Sequence, residues 1–219
     1  MRLYYHYCPS GFSNCYILGT DPPPEDEQEE TVSSPKTAHR GEALIIDPGI
    51  MDSNVLSLIE DNNYTLRGIL ITHDHPHHVH GVSTILRIYT TEIYAINPLI
   101  RDQRTTLVRD GDVFNLGPFR IEVISIPGHS ADSAVFKIDR LLFTGDTLTA
   151  GLVGSTASSY AAATQVTALR GKILSLPGDY TVLPGHGPPS SLEAERRFNL
   201  DLNSFEQQKN RRSAFRIEM

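Results

Sequence analysis

The chain has 219 residues, enough for one domain with a substantial core, and its 39% hydrophobic and 21% charged residues exclude wholesale disorder. A net charge of -7 at pH 7 is a poor basis for gripping a phosphate backbone, and no apolar run is long enough to span a bilayer. Neither nucleic acid nor a membrane is therefore expected as a partner; a small-molecule substrate is the expectation, and nothing in the sequence fixes the oligomeric state.

LYYHY and then NCYIL alternate in the manner of strands. The opening MRLYYHYCPSG has no apolar core of a secretory signal, so a cytoplasmic location is expected. Cys8 and Cys15 are too few for a disulfide framework and lack the spacing of a zinc clip, and read as ordinary thiols. Residues 21–40 are rich in Pro, Glu and Ser, and read as a flexible acidic loop that is dispensable for folding. EALIIDPG is a strand ending in a turn. Residues 52–60 have helical spacing, with Asp52 or Ser53 as N-cap. RGILIT is a short apolar strand, and residues 79–88 return to helical spacing. EIYAI, Phe119 to Ile126, AVFKI and RLLFT are strand-like. A helix is expected over 158–174, a last strand at DYTVL, and a charged helical stretch from Ser190, with 200–219 as its tail. No linker divides the chain. The expectation is a single domain over 1–219, of layered α/β or α+β class.

Seven of the nine histidines fall in three places: THDHPHHVHG, IPGHS and LPGHG. A fourth place, FTGDT, carries Asp146. Each joins an apolar β-like run to a turn and then to a metal-ligand residue type: GILIT to His73, VISIPG to His129, LLFTG to Asp146, TVLPG to His186. Ligands at several strand ends can converge at one sheet edge, and Gly128, Gly145 and Gly185 permit tight turns just before them. His73 and His75, two apart on an extended segment, face one way. His78 follows where the chain turns into a helix and can serve a second, adjacent metal. Imidazole with carboxylate suits zinc, iron or manganese.

These motifs resemble the metallo-β-lactamase superfamily. Thr72-His73-Asp74-His75-Pro76-His77-His78 is similar to its T-H-x-H-x-D-H signature, followed by Pro127-Gly128-His129-Ser130, Gly145-Asp146 and Gly185-His186. Asn14-Cys15-Tyr16 and Ile46-Asp47-Pro48-Gly49 match its opening strands. FTGDTL and LPGHGPPS, followed by ERR and Asn199, look closest to the compact glyoxalase-II-like (hydroxyacylglutathione hydrolase-like) branch. The resemblance implies a four-layer αββα sandwich with its metals at one edge of the two sheets. It implies one metal held by His73, His75 and His129, and a second held by His78 and His186, with Asp146 bridging. The chain departs from the signature at one position: His77 stands where the family has an aspartate that binds the second metal. His77 is expected at the site, as a ligand of that metal or hydrogen-bonded to its bound water. Asp74 and His80 are nearby candidates for a compensating role.

The implied cofactors are two divalent ions, zinc by default, with iron or manganese as alternatives. The implied activity is hydrolysis of a thioester or ester-like acyl bond by a metal-bound hydroxide. Three other readings remain open: a phosphodiesterase or nuclease, an iron-dependent sulfur oxygenase relative, and a weakly active metal-binding remnant. The chain has only a stub where long glyoxalase-II-like members carry an extra helical domain for glutathione.

Overall fold

The computed structural model describes residues 1–21 and 40–203. Most of the acidic loop expected over 21–40, and the tail beyond residue 203, lie outside the described residues; residues 200–203 are helical.

The chain builds two six-stranded sheets in succession. β1 (Arg2–Cys8) and β2 (Ser13–Gly19) form an antiparallel hairpin, and β3 (Gly41–Ile46) adds antiparallel to β2. α1 (Ser53–Asp61) carries the chain over to β4 (Tyr64–Leu70), parallel to β3. The Asp52 carboxylate caps α1 by accepting from the Asn54 and Val55 amides at 3.0 Å each. α2 (Pro76–Val79) and α3 (Val82–Ile88) lead to β5 (Ile93–Ala95), parallel to β4. A small hairpin, β6 (Leu99–Ile100) with β7 (Gln103–Arg104), precedes the edge strand β8 (Thr106–Leu107).

The second sheet begins with β9 (Val113–Leu116), β10 (Phe119–Ser125), β11 (Ala134–Ile138) and β12 (Leu141–Gly145), all antiparallel neighbours. The hairpin β13 (Leu148–Thr149) and β14 (Leu152–Val153) leads to α4 (Ser159–Ala168) and a π-helical turn, Leu169–Ile173. β15 (Thr181–Pro184) returns parallel to β12, β16 (Ser190–Ser191) pairs with it, and α5 (Leu192–Phe198) follows.

Side-chain alternation stacks these elements into four layers. Tyr16, Leu18, Leu44, Ile46 and Leu70 face inward and meet Phe119, Ile121, Val123, Phe136, Phe143 and Leu183 of the second sheet. The opposite faces of the same strands, through Ile17, Ile45 and Ile69, pack on Val55, Ile59, Val82 and Ile85 of α1 and α3. Val135, Leu142 and Val182 of the second sheet meet Val166, Leu169, Ile173 and Leu192 on the far side. Sheets covered on both faces explain why NCYIL and ALII read as nearly continuous apolar runs. The result is the αββα sandwich that the sequence resemblance implies.

Three boundaries differ from the sequence reading. The helix expected over 79–88 is split, because Gly81 donates to Pro48 O at 2.8 Å and a Cβ there would press on the backbone of residues 48 and 50. The stretch expected over 158–174 is α-helical only to Ala168, after which Leu174 N donates five residues back to Leu169 O at 2.9 Å. Ser190 and Ser191 are not helical: they pair with Val182 and Thr181, and the helix starts at Leu192. Both cysteines are buried free thiols, and burial pushes their pKa values up. No helix among the described residues is long and apolar enough to cross a membrane.

Tyr16 and Phe143 join the two sheets edge-to-face at 5.6 Å, and the Tyr16 hydroxyl donates to Pro184 O at 2.7 Å. Phe143→Ala would remove that packing beneath both Asp146 and His186. The expected cost is about 3–5 kcal/mol, read as a lowered denaturation midpoint.

Candidate metal centre

Four strand ends and one short helix open at the same edge of the sandwich. β4 runs into Thr72-His73-Asp74-His75, and α2 adds His77 and His78. β10 leads through Pro127-Gly128 to His129, β12 ends at Gly145-Asp146, and β15 leads through Gly185 to His186. Backbone bonds fasten these ends together: Ala134 N to Thr72 O, Gly185 N to Gly145 O and Asn14 N to Gly185 O, each 2.8 Å. The Asn14 side chain also donates to Pro184 O at 2.9 Å and Gly187 O at 2.8 Å, so the first sheet holds the loop that carries His186. Gly128 (φ 147°) and Gly145 (φ 48°) take left-handed turns before their ligands. Gly185 has a different role, since a Cβ there would collide with Asp146 Oδ1 and the His78 ring.

All seven residues singled out in the sequence come together. His73, His75, His129 and Asp146 form one group of potential ligand atoms, and His77, His78, Asp146 and His186 form another; within each group these atoms lie within 4.8 Å of one another. Asp146 belongs to both. Its Oδ2 lies 3.7 Å from His73 Nε2, 3.5 Å from His129 Nε2 and 3.4 Å from His186 Nε2, and its Oδ1 lies 3.4 Å from His78 Nε2. Asp74 and His80 belong to neither group. The Asp74 amide donates to Asp132 at 3.0 Å and its carboxylate accepts from Asn97 at 3.4 Å, while His80 is exposed.

The outer nitrogens explain how the rings are aimed. His129 Nδ1 lies 2.8 Å from Ser155 O, and His186 Nδ1 lies 2.9 Å from Phe12 O. A carbonyl only accepts, so each Nδ1 carries the proton and each Nε2 presents a lone pair. Thr72 Oγ1 donates to Asp47 at 2.6 Å and therefore accepts from His73 Nδ1 at 3.0 Å. His78 Nδ1 faces the same Asp47 carboxylate at 3.2 Å. His73 Nε2 and His129 Nε2 thus point lone pairs at His75 Nδ1, 3.0 and 3.1 Å away. One proton on His75 cannot satisfy both. His78 Nε2 and Asp146 Oδ1 are buried without a hydrogen bond. Converging lone pairs with orphaned buried atoms are what a cation resolves, and the donor set fits a divalent metal.

The electrostatics divide the rings into two kinds. Burial, aided by neighbouring His78, lowers the His73 pKa to about 3, and burial also lowers His75 and His77. These rings are neutral, as ligands must be. Burial opposes charge on His78, but the facing Asp146 and Asp47 carboxylates outweigh it and raise the value to about 9, so a metal there must displace a proton. The facing Asp146 carboxylate raises His186 in the same way. Asp146, despite burial, is held well below the usual carboxylate range by His186 and His78.

Sequence reasoning missed Asp47. It is buried, has φ 50°, and accepts from the Thr72 amide at 2.8 Å besides Thr72 Oγ1 and His78. Its one sequence signal is an aspartate placed between an apolar strand and Pro-Gly.

Residues 37–186 match the family described as the Metallo-beta-lactamase superfamily. The chain belongs to that superfamily, whose members are generally hydrolytic enzymes. A hydroxyacylglutathione hydrolase of Francisella tularensis subsp. tularensis is 35% identical over 67% of this chain, which spans only 59% of that relative. A Mycobacterium bovis protein of unassigned activity is 29% identical, covering 85% of this chain and 91% of its own length. Among solved structures, ETHE1 from Myxococcus xanthus superposes with a TM-score of 0.74 at 23% identity, covering 96% of this chain and 92% of that one. That likeness concerns the fold.

Asp47→Asn would keep the shape of the residue behind His73 and His78 but remove its charge. Metal affinity should fall about 10–100-fold, as for other residues that orient ligands from behind. Retention of metal against graded chelator, with circular dichroism as a folding control, measures this.

Proposed function

We propose that the chain is a dinuclear metal hydrolase of a thioester or closely related acyl ester, with zinc as its metal. The observation that carries the reading is the sharing of Asp146 between two adjacent ligand groups. His73, His75 and His129 would hold one ion, His78 and His186 the other, and Asp146 would span both. A nitrogen-rich set of this kind suits zinc better than manganese. Divalent ions bound there would polarise the acyl carbonyl and bring a water into ionisation near neutral pH.

The chain's own groups supply the rest. Asp47, directly and through Thr72, fixes the rings of His78 and His73; the Phe12 and Ser155 carbonyls fix His186 and His129. The rear of the centre is dry, since His73 and His78 are buried, whereas His75, His77, His129 and His186 are part-exposed and face the entry side. Phe12, 71% exposed beside His186, offers apolar surface to the acyl or thiol part of a substrate. The thioester class is favoured by the 35% identity to a hydroxyacylglutathione hydrolase over 67% of the chain, and the net charge of -7 weighs against a nucleic acid.

The test is a parallel screen of a hydroxyacyl-glutathione thioester, an acyl-CoA, an aryl ester and an aryl phosphodiester, with elemental analysis of the same preparation. Thioester turnover that chelation abolishes and zinc restores is expected; preferential phosphodiester turnover would replace this reading. His129→Ala and Asp146→Ala should each lower kcat/KM about 10³-fold, the ~4 kcal/mol expected for loss of metal charge stabilisation. Asp146→Ala should also lose more metal, because it touches both groups. Full activity in either variant sinks the site.

A further inference from the structure

We infer that His77 is itself a ligand, so that each ion has three imidazoles and the two share a single carboxylate. This rests on the metal-centre reading above and concerns what kind of centre it is. The ligand atom of His77 lies within 4.8 Å of those of His78, Asp146 and His186. Its ring centroid is 4.9 Å from that of His78 and 5.0 Å from that of His186. The backbone beneath the ring is clamped on two sides. Ser13 Oγ donates to His77 O at 2.6 Å, and Gly49 packs against the same carbonyl so closely that a Cβ would collide with it. Gly11 lies against the His77 Cβ in the same way. The ring is therefore aimed by packing of its own backbone and Cβ, and its nitrogen is delivered to the cluster.

Two consequences follow from charge and ligand softness. An imidazole ligand is neutral, so the whole centre carries one carboxylate for two dications. The two groups also become alike in type, each with three nitrogens and one shared oxygen donor. Neither is the oxygen-rich pocket that manganese or magnesium prefers. The same borderline ion, zinc or another that imidazole suits, would fit both.

The test is zinc binding by equilibrium dialysis on the full chain, counted by elemental analysis, with near-ultraviolet circular dichroism of each metal-free protein. Wild type should bind about two equivalents, as a two-metal centre does. His77→Ala should weaken the second about 100-fold or more, because even residues that only orient ligands cost about 10–100-fold. His77→Asp should keep both sites, but its zinc-over-manganese preference at the second should fall about tenfold or more as an oxygen replaces nitrogen. In cobalt-loaded protein, the absorption bands of the second equivalent should shift in His77→Asp. An unchanged second affinity in His77→Ala overturns the inference, and so does an unchanged zinc-to-manganese ratio in His77→Asp. Wild type that binds one equivalent overturns it while sparing the first group; wild type that binds none overturns the metal centre as a whole.

Discussion

A single buried carboxylate, Asp146, faces four imidazoles across 3.4–3.7 Å. Taking that charge out of water costs several kcal/mol, so the fold must supply positive charge or donors to match. The imidazoles cannot all do so. Protonating one ring near Asp146 gains about 4 kcal/mol at an effective dielectric of about 20, but a second imidazolium would repel the first over a similar distance. Divalent cations bound there would satisfy the carboxylate and the inward lone pairs together. The arrangement is therefore built for cations.

Asp47 repeats the problem behind the centre and solves it differently. Its two oxygens accept from the Thr72 amide, the Thr72 hydroxyl and His78 Nδ1, so its charge is spread over three donors. Those donors belong to the loop after β4 and to α2. A residue at the end of β3 thus sets where both elements start, and through them where His73 and His78 point. Side-chain aim and backbone course are fixed by one hydrogen-bonded group. Removing its charge should loosen metal before it loosens the fold.

Much of this was legible in the sequence because the residue types themselves carry the chemistry. The clustered histidines, the strand-turn-ligand pattern and the matching motifs located all seven inward-facing residues and the two-sheet architecture. What stayed hidden depends on non-local contacts. The acceptors that orient His129 and His186 are backbone carbonyls of Ser155 and Phe12, and a carbonyl leaves no trace in a sequence. Asp47 looks like any turn aspartate until β3 and β4 are seen side by side. The two-residue strands β6, β7 and β8 are too short for a period of two to register. Gly185 read as a turn residue, yet its requirement is space for Asp146 and His78.

The same reasoning accounts for where the site lies. The central strands of both sheets are buried on both faces, by each other within and by helices without, so those faces have no room for a reactant. The ends of these strands are open. β3 and β4 run parallel, as do β12 and β15, so their C-terminal ends open in pairs. Asp47 and His73 follow the first pair, Asp146 and His186 the second, and the bonds from Asn14 to Pro184 and Gly187 bring the two pairs to one edge. Ligands drawn from both sheets make the centre a joint between them. A bound cation then favours the docked sandwich over any state in which the sheets part, which couples metal affinity to folding stability.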